Sequence, residues 1–539
     1  MTIVHSDVSL WFLAFMLSSH TVSAQIPTPS PGRPASEQAV LGSARPLSVD
    51  EAVRLALEHN LNIQVERLSP QMADLSMASA RSAWAPVLTS TMTGASAKNP
   101  AYSFLSGSQS SVSDRQFFSA AGVTQLLRWG GSYAISWDGS RSTTTNLFSN
   151  FYPIVRSNLS FRYIQPLLRN FSIDSGRQRW LLSKKDREIT DVQFRQTVVT
   201  TVRNVRHAYW DLAYAMALLG VQRQSFDLAQ TSLRNTRSRV EQGSVAPIEM
   251  VEAEAEVAQR SEAVVVAEAS VSQAQDRLRS LILDPATPDF WNLTFEPTNI
   301  TSAEVQPIDL DAAEWVALDK RADIQRAKKT LENSEVGIRY VRNQTLPDVD
   351  LHVDYGITGV GGTQFIRGQG FPGEIVGRTQ RGFGSVLGNI LQDHFPSWTI
   401  AIDIRYPLGT SSAEADLARA RLQYSQTQTQ IRNLELQVAT QVRDAGRQVS
   451  TSKKRVDATR LASQLAERRL DAEEKKFAAG TSTRFLVFQA QRDLTQARSH
   501  ELRAILDQQR ALVDFEAVQE APLVSGGSAV AEAFVPGQW

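Results

Sequence analysis

Residues 47–64, LSVDEAVRLALEHNLNIQ, return in altered form at 308–325 as IDLDAAEWVALDKRADIQ. Slid by 261 positions, the two share Asp50/Asp311, Ala52/Ala313, Ala56/Ala317, Leu57/Leu318, Ile63/Ile324 and Gln64/Gln325. A chain that writes one helix start twice folds as two related halves. Ser48 is an N-cap residue with Glu51 at capping-box spacing, so a helix is expected from Ser48 to Ala85, with a break near Ser69-Pro70. Pro86 ends it, and Pro347 ends the second copy at the same offset.

After each proline the period changes from helical to two. Val349, Leu351, Val353 and Tyr355 alternate with Asp348, Asp350, His352 and Asp354. Trp398, Ile400, Ile402, Ile404 and Tyr406 alternate with Thr399, Ala401, Asp403 and Arg405, and residues 157–168 form the matching strand of the first half. A strand with one apolar and one charged face fits a barrel wall with oil outside and water inside. The glycine-rich stretch from Gly359 suits a long exposed loop, whereas 117–138 has the pattern of additional strand.

Very long helices follow. From about 172 to 241 there is no proline, and Val198, Val202, Val205, Tyr209, Leu212, Met216 and Leu219 fall at steps of four and three. At 1.5 Å per residue, ~70 residues make a rod of roughly 100 Å. Ile431, Leu434, Val438, Val442, Ala445 and Val449 repeat the stripe in the second half. Such narrow stripes need partner helices along their whole length. Each rod reaches a glycine, Gly243 or Gly480, and turns into another helix, to about Ile282 and Val518. These glycines differ by 237, so 24 residues are missing from the second half: 20 between the paired prolines and four expected in the rod.

The expected organisation is a signal peptide (1–24), a flexible linker (25–46), a first structural repeat (47–282), a connector (283–307), a second repeat (308–518) and a C-terminal tail (519–539). The signal rests on the apolar run Leu10–Leu17 and on Val22 and Ala24 before a cut, although no Lys or Arg precedes the run. No later run approaches the ~18 apolar residues of a transmembrane helix, so any membrane crossing must be a β-barrel. Lys+Arg equals Asp+Glu at 56 each, which leaves no basic footprint for nucleic acid. Cysteine is absent, so thiolate chemistry and disulfides are excluded. The seven histidines show no ligand spacing; His207 on the apolar rod suits a packed interface, and no catalytic, cofactor or metal constellation is expected.

The twin helix starts, Pro86 and Pro347, QPLLR at 165–169 and the two glycine turns, in this order and twice over, resemble the TolC-type outer-membrane efflux factor family across residues 47–518. The fold this implies is a mixed α/β membrane protein, a tandem repeat of helix-strand-strand-long helix-helix. Three copies would share a 12-stranded β-barrel, four strands each, on a long periplasmic α-helical barrel. The resemblance implies an exit duct for tripartite efflux or type I secretion in the bacterial outer membrane. Its partners would be outer-membrane lipid, a periplasmic adaptor and an inner-membrane pump.

Carried over, the adaptor-contact tip is Gln242, Gly243, Ser244 and Val245 with Ala479, Gly480, Thr481 and Ser482. Family members narrow the tunnel with aspartates six and nine residues after the second glycine; here those places hold Leu486 and Gln489. The first repeat has Glu249 and Glu252 at the same offsets, which a trimer would set as two rings of three carboxylates, and Arg484 is placed to pair with them. Glu254 and Glu256 continue the charge run, so the same residues also suit a solvated helix face. Two other readings stand beside the duct: an envelope coiled-coil structural protein and a stand-alone porin.

Overall fold

The computed structural model describes residues 45–100, 110–146, 148–288, 290–298, 308–370, 373–409 and 411–520. The expected signal peptide, most of the linker and all but two residues of the tail lie outside them.

Each half opens on a two-part helix, α1 (Val49–His59) and α2 (Leu61–Ser82) in the first, α5 (Leu310–Lys320) and α6 (Ala322–Gln344) in the second. The break falls at Asn60 and Arg321, 261 positions apart, and not at Pro70, which α2 carries inside it. Asn60 makes the break chemically. Its Oδ1 accepts from the N–H groups of Asn62 (3.0 Å) and Ile63 (3.3 Å), capping a new helix, while its Nδ2 donates to Leu281 O at 2.9 Å.

The rods are α3 (Ser175–Glu241) and α8 (Ser412–Ala478), 67 residues each; they return as α4 (Ile248–Ile282) and α9 (Arg484–Val518), 35 residues each. Both ends of the rods are offset by 237, so the rod has lost nothing. The four residues expected to be missing there are missing instead from the connector: Ser175 follows Pro166 by nine positions, Ser412 follows Pro407 by five. Val198, Val202, Val205, Tyr209 and Leu212 of α3 bury against Ala52, Val53 and Ala56 of α1 and Leu278 and Ile282 of α4. Each of the larger side chains contributes about 2 kcal/mol. Ala313, Ala317 and Ile324 bury against Val438 and Val442 in the second half.

The linker and connector expectations are corrected at one point. Arg45–Leu47 forms β1, paired in parallel with β6 (Phe295–Pro297). Leu47 and Phe295 belong to the α3 core, and the Tyr209 hydroxyl donates to Leu47 O at 3.1 Å. Burial of two apolar side chains overrides a coil-like composition.

The strands β2 (Val87–Pro100), β3 (Ser111–Leu126), β4 (Ser132–Thr144), β5 (Phe151–Pro166) and β7 (Asp348–Gly370) lie side by side, all antiparallel. β8 (Gly373–Arg381) and β9 (Pro396–Arg405) pair with the outer and inner parts of the same edge of β7. The sheet is therefore six strands wide, which corrects the expected four. The segment 117–138 is the source: it forms most of the hairpin β3–β4, inserted between β2 and β5. The stretch from Gly359, expected as a loop, is the outer part of β7. Its backbone is paired with β5 and β8, and its glycines make room for the short helix α7 (Phe383–Leu391).

Strand register gathers the residues onto two faces. One carries Leu88, Met92, Val123, Ile135, Trp137, Leu159, Phe161, Val349, Leu351, Val353, Ile400, Ile402 and Ile404. The other carries Arg162 against Asp354 (2.6 Å), Asn158 against Asp138 (2.9 Å), His352 against Asp403 (3.1 Å) and Arg405 against Asp348 (3.2 Å). Among the described residues no helix is long and apolar enough to cross a membrane.

Candidate gate at the helix tips

Both rods end in the same cap. Gly243 (φ +70°) and Gly480 (φ +76°) take the left-handed conformation, and the next residue's N–H returns to the last turn: Ser244 N to Arg239 O and Thr481 N to Lys476 O, each 2.9 Å. The hydroxyls of Ser244 and Thr481 donate to the same two carbonyls, at 2.9 and 3.1 Å. A Cβ at either glycine would meet nothing within 4 Å, so backbone conformation alone demands glycine here. Gln242, Gly243, Ser244, Ala479, Gly480 and Thr481 are exposed, while Val245 and Ser482 are half-buried. Ser482 donates to Glu473. That bond, opposed by desolvation and aided by Lys476, holds the Glu473 carboxyl below its ordinary range.

Arg484, in the first turn of α9, is 7% exposed and reaches all four helices of the tip. Its Nη1 donates to Ser232 O (3.3 Å), Ser232 Oγ (3.2 Å) and Thr236 Oγ1 on α3. Its Cζ lies 5.1 Å from the ring centre of Phe477 on α8, whose ring also carries Arg239 at 5.2 Å. Its Nε stands 3.6 Å from Glu249 Oε2 on α4, an ion pair too long for a hydrogen bond. Burial pulls this guanidinium below its ordinary pKa, with Glu249 opposing and Arg239 adding. It remains charged at any physiological pH.

Glu249 is thus brought to Arg484, whereas Glu252 is exposed on another side of α4. Leu486 and Gln489 are exposed on α9. Glu256 corrects the expectation of a solvated charge run. It is 5% exposed and accepts from Arg260 of its own helix (2.8 Å) and from Arg492 of α9 (2.7 Å). Glu249 and Glu256 are seven apart, one heptad, and their α9 partners Arg484 and Arg492 are eight apart. A charge ladder of two rungs therefore ties α4 to α9. The heptad spacing was the available signal for Glu256; nothing local marked Arg492 as its partner.

Higher on the stalk, Asp514 of α9 meets Arg203 (2.6 Å) and His207 (3.1 Å) of α3. Burial pushes the Asp514 carboxyl up, but His207 and Arg203 outweigh it and hold it below its ordinary value. His207 accordingly sits in a helix interface.

A sheet with an oily and a charged face, carried on 67-residue helices that turn at glycine caps, is the architecture of the stalked outer-membrane efflux class. The outer membrane efflux protein family model matches residues 166–282 and 316–518, more than half of the chain, and the chain belongs to that family. It is a TolC-type outer-membrane efflux protein. No curated protein sequence matches significantly. Among solved structures, the chain is similar to the CmeC outer membrane channel of Campylobacter jejuni (13% identity, TM-score 0.63, 90% of this chain and 88% of that one). It is similar to VceC of Vibrio cholerae (14%, 0.61, 87% and 95%) and to the outer-membrane channel OprN (16%, 0.61, 88% and 90%). Likeness at such identity shows a shared fold.

Proposed function

We propose that this chain is the exit duct of a tripartite efflux or type I secretion assembly, a passive conduit from periplasm to exterior. The carrying observation is the open sheet. Among the described residues its edge strands, β2 on one side and β8 with β9 on the other, leave backbone groups unpaired, which hydrocarbon does not tolerate. Pairing the β8–β9 edge of one copy with β2 of the next removes both edges. In the trimer that the family resemblance implies, six strands per copy close an 18-stranded barrel rather than the expected 12. The halves of equal helix length, read as a tandem duplication, then line a shared tunnel extending into the periplasm.

In this reading the tips are shut at rest by Arg484, which holds α3, α4, α8 and α9 together. A periplasmic adaptor docks on the caps, Gln242–Val245 and Ala479–Ser482, through their exposed residues, and an inner-membrane pump delivers the cargo. Glu249 and Glu252 offer carboxylates at the constriction, while Leu486 and Gln489 leave the facing helix without acid.

Native mass spectrometry of the detergent-extracted outer-membrane fraction is expected to show three chains. A monomer or dimer refutes the trimer. In planar bilayers, Arg484→Ala is expected to raise resting conductance severalfold; an unchanged conductance removes Arg484 from the gate.

A further inference from the structure

The sixth strand of the sheet is broken in a particular way. β8 and β9 run in the same direction along one edge of β7, from Gly362↔Arg381 above to Ile357↔Pro396 below. Four residues of β7, 358–361, face the 14 residues 382–395, which contain α7. The polar groups this frees are taken up: Thr358 N–H donates to Phe395 O at 3.2 Å, and the Asn389 amide donates to Val360 O at 3.5 Å.

The excursion lies on the apolar face. Gly359 and Gly361 share that face with Val349–Ile357, and a Cβ on either would collide with Val386 of α7. Ser157 of β5, directly across from Gly359, is 0% exposed. A row of small residues thus forms a seat, and α7 lies back over β7 and β5, away from the free edge where a second copy would pair.

The height of the seat is set by charge. On the apolar face of the described strands no charged side chain occurs from the row of Val349 through that of Gly359; the next row, that of Gly361, holds Arg141 one strand beyond Val155. Ten residue steps span about 33 Å along the strand. At the tilt of a membrane barrel this is about 23 Å of height, close to an outer-membrane apolar band. The α7 seat is at its outer rim. None of the nine residues of α7 is charged; Val386 and Ile390 point into the seat, while Phe383 and Leu391 (86% exposed) do not.

We propose that α7 is an in-plane anchor, covered by the acyl chains of the outer leaflet just below the headgroups. Apolar side chains contiguous with a lipid-facing band and held there by a dedicated glycine seat fit hydrocarbon as the occupant. The inference rests on the outer-membrane reading above.

The cysteine-free chain permits a direct test in the full-length protein. Leu391→Cys and Ile400→Cys variants would each carry a bimane label, in phosphatidylcholine vesicles containing lipid brominated near the headgroup or deep in the chain. Both labels are expected to lose at least half of their emission, with Leu391 more sensitive to shallow bromine. Adding Gly359→Leu, which unseats α7, is expected to abolish quenching at 391 and leave 400 unchanged. Quenching at 400 but not at 391 overturns the anchor alone. Quenching at neither overturns the membrane reading and the anchor with it, and quenching at 391 that survives Gly359→Leu overturns the seat.

Discussion

The stalk and the sheet of this protein differ in how closely its two halves match. The helices agree in length, 67 with 67 and 35 with 35. Between the same landmarks the first half inserts a strand hairpin, β3–β4, and the second a helix, α7. The contrast has a physical origin. Every turn of a rod packs on a neighbour, so a change in length shifts each later contact, and the two glycine caps must end level for Arg484 to meet all four helices. Strands instead accept added chain where it pairs or packs locally: β3–β4 pairs with β2 and β5, and α7 rests on Gly359 and Gly361.

That contrast can be broken by lengthening each region. Four residues inserted in α8 after Lys453 advance everything below by about 6 Å and rotate it by about 40°. The expected outcome is complete loss of assembled channel, read by native mass spectrometry, while the same four residues inserted after Gly370, between β7 and β8, leave the yield unchanged. Equal tolerance would mean that the rods are not held in register.

A smaller effect separates buried from exposed charge within one helix. Glu256→Ala strands two arginines and is expected to destabilise the stalk by about 3 kcal/mol, seen as a lower midpoint in denaturant. Glu252→Ala, at an exposed position, is expected to stay within about 0.5 kcal/mol. Equal losses would return Glu256 to the solvated face.

The smallest effect lies between α3 and α6. Lys185 contacts Glu332 (2.6 Å) and Glu188 (3.2 Å), and Lys329 contacts Glu188 (2.7 Å). The lysine hydrogen bonds outweigh desolvation and hold both carboxyls below their ordinary value. Depressed carboxyl values add stability that is present above the unfolded pKa and lost as pH falls through the folded one. A modest drop in Tm is therefore expected below about pH 4. These side chains are partly exposed and screened, so the drop is small, and Glu188→Gln/Glu332→Gln should shrink it further.

What could be read in the residues was periodic. The stripes at Val198–Leu212 and Val438–Val449, the alternation at Val349–Tyr355 and the twin helix starts are patterns along the chain, and each names an apolar face without knowing its partner. The glycine caps were legible for the same reason, since a left-handed residue is a property of one position. Four strands per copy came from the resemblance, and that number failed because 117–138 carried a strand pattern with no sign of where it would pair.

The sequence by itself determined the period and the handed turns of this chain, because these follow from neighbours along the backbone. Only the tertiary structure decided that β3–β4 enters the sheet, that Gly359 and Gly361 seat a helix, and that Glu256 is buried between arginines. Each of these joins groups far apart in sequence, or on separate elements, and which pairs meet is set by burial and polar satisfaction across the whole fold.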